Sequence, residues 1–361
     1  MNGTGSIAAN ESNRMNGAGT QHKYKPAPVT QVLEPPEWIK LRNLTARSLR
    51  KFISLLPQIS AADNSVSIHK VRALSRRAEL MLDLYYAKPS PRLAHKLRRR
   101  IKSCRRLLGK LSDHDALLAI TTQSMAAASP LQKPAWKSMK EYLADHRAKI
   151  APEILREVSD LDIPSFAARL NQEFSNGEEY WRGVLSDHAS HQGREMVASR
   201  LRHALSHLWR QFDSAVDESR QDPCERSIHE VRIAVKRLRN LVAVMAKLKV
   251  SGSSTHLFWL RSVQRSIGEW HDLEVLEHMM TGLLLRRKFL RDHLELAVQV
   301  EQLLLQNREI KKSSEEGFVR MTRQSGEYEQ MKLWVKQVMV AVDSAASSAA
   351  VELPAALKKS A

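Results

Sequence analysis

Apolar residues recur at helical spacing along most of this chain, and the period-two alternation of a strand is nearly absent. In one segment, Val71, Leu74, Ala78 and Met81 share a face when successive residues are placed about 100° apart. Proline and glycine stand mostly at the junctions between such segments. The pattern predicts an all-α protein built from helical bundles.

One stretch interrupts this pattern, because residues 159–192 mix Asp, Ser, Asn, Gly and Pro with only short apolar pieces. We interpret residues 159–192 as a connector between two helical bundles, residues 36–158 and residues 193–350. The polar residues 1–35 and the last residues, 351–361, are predicted to be disordered tails. A length of 361 residues suits two such units.

The individual helices can also be placed from the pattern. In the first bundle they are expected before Pro57 and around His69, Arg98, Leu117 and Tyr142. In the second bundle, long helices are expected over residues 290–306 and 328–349. Tryptophan side chains that follow the apolar spacing are assigned to the core, at Trp136, Trp209, Trp259 and Trp270.

The chain contains nearly the same six residues twice, SIHKVR at 67–72 and SIHEVR at 227–232, which lie 160 residues apart. Further cations follow each copy, Arg76 and Arg77 in the first and Lys236, Arg237 and Arg239 in the second. Recurrence at a fixed distance indicates a duplicated unit. The two predicted bundles should therefore be related by pseudo-symmetry.

A second pair of segments keeps nearly the same distance. GKLSDHD at 109–115 corresponds to GEWHDLE at 268–274, a shift of 159 residues. Asp113 and Asp272 occupy the same place in the two segments. We expect these carboxylates to pair with a neighbouring arginine or to cap the following helix, and so to orient cations.

The chain is strongly basic. Its 57 Lys and Arg residues stand against 39 Asp and Glu residues, a net charge of +18. Nine of the cations lie between Arg92 and Lys110 with no carboxylate among them. Such a run repels itself unless an anion neutralises it, so the partner is predicted to be a polyanion.

The cations form stripes opposite the apolar helix faces, and stripes from two facing bundles would line a cationic groove. The predicted ligand-binding residues of the first bundle are His69, Arg72, Arg76, Arg77, Arg98, Arg99, Lys102, Arg105 and Arg106. Those of the second bundle are His229, Arg232, Lys236, Arg237, Arg239, Arg261 and Arg265. The two histidines lie with the cations, where an imidazole could donate a hydrogen bond to a phosphate oxygen.

The cysteines and the distribution of apolar residues indicate where in the cell such a protein would work. Cys104 and Cys224 are the only cysteines and form no CxxC pair, which fits a reducing compartment without a zinc knuckle or disulfide framework. No apolar run approaches the roughly 20 residues of a membrane span, and residues 1–21 lack the apolar core of a signal peptide. We expect a soluble cytoplasmic protein with no membrane partner, and the sequence leaves the oligomeric state open.

These motifs resemble the CHAD (conserved histidine α-helical domain) family, whose two repeats each carry a His-x-x-Arg helix followed by a basic cluster. The family's second landmark is a Leu-Gly-x-x-Arg-Asp-x-Asp-like turn, which residues 109–115 and 268–274 resemble. The resemblance covers most of the chain. It departs from the family where Ser112 and His271 replace an arginine and Glu274 replaces an aspartate.

The resemblance implies non-catalytic binding of long-chain inorganic polyphosphate in a basic groove between two four-helix bundles, with no cofactor and no metal. It also implies a stand-alone protein that could reside at polyphosphate granules. Polyphosphate carries one negative charge per unit and no bases, so it requires many cations and no stacking rings. Aromatic residues make up only 6 % of the chain, and none interleaves with the stripes before Tyr85, which disfavours a single-stranded nucleic-acid platform.

Nucleic acid remains the leading alternative partner, because its backbone presents similar phosphates to lysine and arginine. The chain shows no recognised nucleic-acid module. A duplex would favour cations on a convex face, whereas the repeat predicts them on two facing bundles.

A metal-dependent phosphohydrolase is the second alternative. Asp113, His114 and Asp115 resemble part of such a site, as do His271 and Asp272, but the required ligand order is incomplete. A further pair, His203 and His207, has the i, i+4 spacing of metal ligands without an obvious third ligand, and we interpret it as an exposed pair.

Overall fold

The structure, a computed structural model, describes residues 37–59, 65–86, 92–172, 187–323 and 325–340. Within these ranges the chain is almost wholly helical and has no strand, so the predicted all-α class is confirmed. The predicted tails, residues 1–35 and 351–361, lie outside the described residues.

The first half of the chain forms α1 (Glu37–Leu55, followed by a 3-10 turn at Leu56–Ile59), α2 (Ser65–Tyr85), α3 (Arg92–Ala127), α4 (Lys133–Asp160) and α5 (163–172). The second half forms α6 (Asp187–Gln221), α7 (Glu225–Lys247), α8 (Ser253–Leu284), α9 (Arg287–Asp292), α10 (Leu294–Arg323) and α11 (Gly326–Val340). Among the helices described, none combines the length and the apolarity that a bilayer span requires.

The helices of each half pack in sequence order. In the first half α1 packs on α2, α2 on α3 and α3 on α4, and in the second half α6, α7, α8 and α10 repeat this order. The halves meet where α2 packs against α7, with further contacts between α1 and α6, α3 and α8, and α4 and α10. This arrangement places the two repeated segments, on α2 and α7, side by side.

Three apolar clusters hold the helices together. Phe52 and Ile101 belong to the core of the first half, and Phe212 belongs to the core of the second. Trp38 on α1 and Met81 on α2 are buried in the second-half core, so the halves share apolar contacts. A third cluster joins the distal parts of α3 and α4 to α8, α9 and α10. The tryptophans assigned to the core from the sequence are all buried, at Trp136, Trp209, Trp259 and Trp270.

A glycine makes the tight connection between α7 and α8 possible. Gly252 has a φ of +77°, and a Cβ atom at this position would lie 2.7 Å from the indole Nε1 of Trp334 on α11. The same indole N–H donates a hydrogen bond of 2.8 Å to the carbonyl oxygen of Ser251. Glycine is therefore favoured here both by the left-handed backbone and by the close approach of α11.

Some predicted elements differ from the structure. The separate helices expected around Arg98 and Leu117 are one continuous helix, α3, and the second landmark, 109–115, lies inside it rather than in a turn. Likewise, 268–274 lies inside α8. Burial explains the continuity of α3, because Leu108 and Leu111 are both fully buried on either side of Gly109 and a turn there would expose them.

The predicted ends of the last helices are also wrong where the structure describes them. The helix expected over residues 290–306 begins at Leu294 and runs to Arg323. The helix expected from residue 328 begins at Gly326, and its predicted end at residue 349 lies outside the described residues. In the predicted connector, α4 ends at Asp160 and α6 begins at Asp187. The division of the chain at this stretch stays a prediction.

Candidate anion-binding site

Four cations from the two halves converge where α2 packs against α7. We call Arg72 and Arg76 of α2, with Arg232 and Lys236 of α7, the central cluster. Burial lowers the pKa of Arg232, and the positive charge of Arg72 lowers it further against the opposing effect of two carboxylates. The like charges of the two halves are therefore close enough to repel one another.

Arg76 is surrounded by other cations. Burial, followed by the charges of four neighbouring guanidinium groups, lowers the pKa of Arg76 to about 10. These groups belong to Arg72, Arg105, Arg232 and Arg239. No carboxylate within the described residues takes part in an ion pair with Arg76.

Lys236 occupies the corresponding position on α7. Burial and then the charges of Arg232, Arg76 and Arg72 lower the pKa of Lys236 to about 7, although Asp272 opposes this effect. The ammonium group is thus only partly protonated at neutral pH. A bound polyanion would favour its protonated form.

Two aspartates partly neutralise the cluster. The Arg72 Nη1 atom lies 3.4 Å from Asp113 Oδ1, as expected from the sequence. Asp272 is half-buried, and its pKa is raised by burial even though Arg232 and Lys236 favour the charged form. The alternative role of these carboxylates as helix caps is wrong, because both lie inside long helices.

Several guanidinium N–H groups of this region lack an acceptor. The Nε atoms of Arg72, Arg232 and Arg239 are buried and have no hydrogen-bond partner in the described part of the chain. A buried donor without an acceptor costs about 1–3 kcal/mol. Phosphate oxygens are acceptors of the right kind for these donors.

A pocket of about 560 Å³ opens beside the central cluster, between α2 and α3. We call it the α2–α3 pocket; it is lined by Arg72, Arg76, Arg99, Lys102, Ser103, Arg105, Arg106 and Gly109. Arg105 Nη1 lies 2.6 Å from Glu79 Oε2, which fixes one guanidinium in the wall. Arg98 is paired with Asp83 and is absent from the lining.

The histidines of the repeated segments lie at the rim of the central cluster. His69 is exposed, and its pKa is lowered by burial of part of the ring and by Arg72 and Arg76. The ring centroids of His229 and His271 are 5.9 Å apart. Burial, followed by Arg232 and Lys236, lowers the pKa of His271 to about 3, so the residue that replaces a family arginine is neutral. Ser112, the other replacement, is buried.

The remaining predicted residues of the second half extend the cationic surface along α7 and α8. Burial lowers the pKa of Arg239, and the charge of Arg261 on α8 adds to the effect. Arg265 follows Arg261 by one helical turn, and both are exposed. Arg237 is also exposed, but it lies about 100° around α7 from Lys236, as Arg77 lies from Arg76 on α2.

Arg77 lies apart from Arg72 and Arg76, although the sequence predicts all three as ligand-binding residues of one stripe. Its pKa is lowered by burial and then by Arg47 on α1. Lys247 at the end of α7 is similarly affected, by burial and then by Arg77, Lys51 and Arg47. These residues form a second basic cluster towards α1, which the sequence stripes did not predict because it combines three helices.

Some of the residues considered for phosphohydrolase chemistry are engaged with side chains outside the central cluster. His114 Nε2 lies 2.8 Å from His146 Nδ1, and Asp115 pairs with Arg147. The exposed His207 lies 3.1 Å from the amide nitrogen of Gln211. His203 is exposed as well, as expected.

One other group has a geometry that could hold a cation. Glu225, Glu274 and His278 bring one ligand atom each within 4.8 Å of one another. The ammonium of Lys311 already lies 2.6 Å from Glu274 Oε2 and also contacts Glu277. The carboxylate of Glu274 therefore has a positively charged partner.

Comparison with known proteins identifies the class of the protein. The chain matches the model of the CHAD domain over residues 44–281, a range that contains every predicted ligand-binding residue. The protein belongs to the CHAD family, and the resemblance seen in the sequence is confirmed. Members of this family are associated in general with polyphosphate binding rather than with catalysis.

The fold agrees with this assignment. The crystal structure of the CHAD domain from the plant Ricinus communis superposes with a TM-score of 0.56 at 18 % sequence identity, covering 78 % of this chain and 90 % of that one. At this identity the likeness shows the shared fold. No curated protein matches the chain.

Proposed function

We propose that the protein binds long-chain inorganic polyphosphate, without catalysing a reaction on it, through the central cluster and the α2–α3 pocket. The observation that carries this proposal is the excess of cations at the α2–α7 contact, where four cations lie beside two carboxylates. Burying like charges is unfavourable unless a counter-charge arrives. A polyanion supplies that counter-charge.

Binding would rest on charge-assisted hydrogen bonds. Guanidinium groups donate to phosphate oxygens in short, strong contacts, and the Nε donors of Arg72 and Arg232 have no acceptor of their own in the described part of the chain. The cations of α7 and α8 continue the surface beyond the pocket, so one chain of phosphates could contact several of them in succession. Contacts along one tethered chain reinforce each other.

Long polyphosphate should therefore bind more tightly than short anions. Calorimetry with polyphosphate of roughly a hundred units, pyrophosphate and ATP at one salt concentration is expected to rank the long chain first. Raising the salt should weaken its binding steeply, because releasing the same counterions into a more concentrated salt solution gains less entropy. Equal affinity for ATP and long polyphosphate would contradict the proposal.

Competition with duplex DNA tests the leading alternative, that the protein binds nucleic acid. If DNA displaced polyphosphate at equal phosphate concentration, the protein would be a nucleic-acid-binding protein instead. We further propose that polyphosphate binding locates the protein to polyphosphate granules in the cytoplasm, which a fluorescent fusion in cells with and without polyphosphate would test.

A further inference from the structure

The cationic surface of α8 contains one unexpected residue, Phe258. It is 73 % exposed, and no other aromatic side chain is exposed among the residues whose burial the structure describes. Exposure of one large apolar residue is common on protein surfaces. The position of this ring among cations that the sequence predicts to bind the ligand makes it informative.

Phe258 shares a helix face with two arginines. Arg261 and Arg265 follow it by three and seven residues, so the ring and both guanidinium groups point to the same side of α8. The opposite side of the helix is buried, at Leu260, Val263 and Ile267. The exposed neighbours one turn earlier, Ser254 and Thr255, are polar, so along α8 the ring is not part of a wider apolar patch of the kind that binds proteins.

The repeat shows what the ring replaces. The shift of 159 residues that aligns Gly109 with Gly268 also aligns Arg99 with Phe258. Arg99 lines the α2–α3 pocket. The second half thus carries an aromatic ring where the first half carries a cation of the α2–α3 pocket.

The face of this ring is open. Arg100 lies over the ring of Phe166 at 3.7 Å and Arg286 over that of Tyr142 at 4.3 Å. Within the described part of the chain, no guanidinium covers Phe258 and no second ring stacks on it. An uncovered ring beside unpaired arginines presents a stacking surface and a phosphate-binding surface together.

We infer that Phe258 stacks against the base of a nucleoside polyphosphate whose phosphates are bound by Arg261 and Arg265. The inference rests on the proposed function, because it assumes that this surface binds phosphates. A single ring accommodates one base, whereas a single-stranded nucleic acid needs successive rings. The ligand class is therefore a small nucleotide rather than RNA.

Comparison of ATP with inorganic triphosphate isolates the base. Inorganic triphosphate carries at least as much negative charge, so charge alone would favour it over ATP. Calorimetry at one salt concentration is expected to show ATP binding tighter by about fivefold or more. Wild-type protein that binds the two equally would overturn the inference.

Phe258→Leu is the matched variant, because leucine keeps an exposed apolar side chain without a π face. It should remove the preference for ATP while leaving triphosphate affinity within about twofold, and Phe258→Trp should retain or increase the preference. A preference that persists in Phe258→Leu would refute the stacking site. Long-chain polyphosphate, titrated into the same samples, tests the proposed function separately, because its failure to bind would reject that function whatever the ratio for ATP.

Discussion

Arg76 and Arg77 are adjacent in the sequence and lie in different surroundings. Arg76 lines the α2–α3 pocket, whereas Arg77 faces the second basic cluster of α1 and the end of α7. This contrast provides a matched pair of substitutions on one helix turn. Methionine is the suitable replacement, because it keeps the apolar stem of the side chain and removes only the charge.

Arg76→Met should weaken long-chain polyphosphate binding by about tenfold, the range expected for lost charge-assisted hydrogen bonds. Arg77→Met should change the affinity much less. The melting temperature of Arg76→Met should not fall, because the substitution removes a cation that its neighbours repel. Equal losses of affinity in both variants, measured by calorimetry, would show that α2 contributes only its overall charge.

Lys236 should make polyphosphate binding dependent on pH. With a pKa of about 7 in the free protein, its side chain is largely neutral at pH 8 and charged at pH 6. A bound polyanion raises this pKa, so binding takes up protons near neutral pH and becomes stronger as the pH falls. His69 contributes less over this interval, because its own pKa is lowered below the ordinary value.

Lys236→Arg separates this effect from the others, because arginine stays charged throughout the interval. Calorimetry in two buffers of different ionisation enthalpy reports the proton uptake directly. We expect clear uptake for the wild type and little for Lys236→Arg. Unchanged uptake in the variant would assign the proton to other groups, and the double variant His69→Ala, His229→Ala would then identify them.

At the scale of single residues, helical periodicity predicted much of the candidate anion-binding site. It placed His69, Arg72 and Arg76 on one face, and the structure brings the last two into the pocket. Arg77 is about 100° further around α2 from Arg76, and it had been grouped by adjacency rather than by angle. The sequence could not show which arginines are paired with a carboxylate. The carboxylates that pair with Arg98 and Arg105 lie on another helix, α2.

At the scale of elements, the connection between α7 and α8 offers a sharp test. Gly252→Ala should destabilise the protein by about 1–3 kcal/mol, because alanine is strained at this φ and its Cβ would collide with Trp334. Gly268→Ala is the matched control, since Gly268 lies inside α8 with no atom within 4 Å of an added Cβ.

Gly268→Ala should stabilise the protein by about 0.5–1 kcal/mol through helix propensity alone. Chemical denaturation of both variants gives the two free energies of unfolding. A Gly252→Ala variant as stable as the wild type would contradict a tight contact between Trp334 and this connection.

Helix identity was easier to predict than helix length. The resemblance to the family implied a turn at 109–115, yet α3 continues through these residues. The reason is tertiary, because the helix is held on both sides of Gly109 by buried leucines that a local pattern does not reveal.

At the scale of the whole molecule, ligand binding and stability should be linked. A ligand that binds only the folded protein at a hundred times its Kd stabilises it by about 2.7 kcal/mol. Long-chain polyphosphate should therefore raise the melting temperature well above the value with pyrophosphate at the same phosphate concentration, and Arg76→Met should reduce the increase. A melting temperature unaffected by polyphosphate at saturating concentration would contradict binding to the native state.

The fold class of the molecule could be predicted from the sequence, whereas the packing of its two halves against each other could not. Apolar spacing and the repeated SIHxVR segments led to an all-α protein of the CHAD type. The sharing of core between halves, with Trp38 and Met81 packed among second-half residues, has no local signature. Such contacts join positions more than a hundred residues apart in the chain.

The contact of α2 with α7 carries like charges at the place where the halves join. The same contact that assembles the molecule is thus weakened by repulsion when no anion is bound. We expect the ligand-free protein to open there more often, and to expose its backbone to proteases during such openings. If the proposed function holds, cells that exhaust their polyphosphate should degrade this protein faster, so its abundance should follow the size of the phosphate reserve.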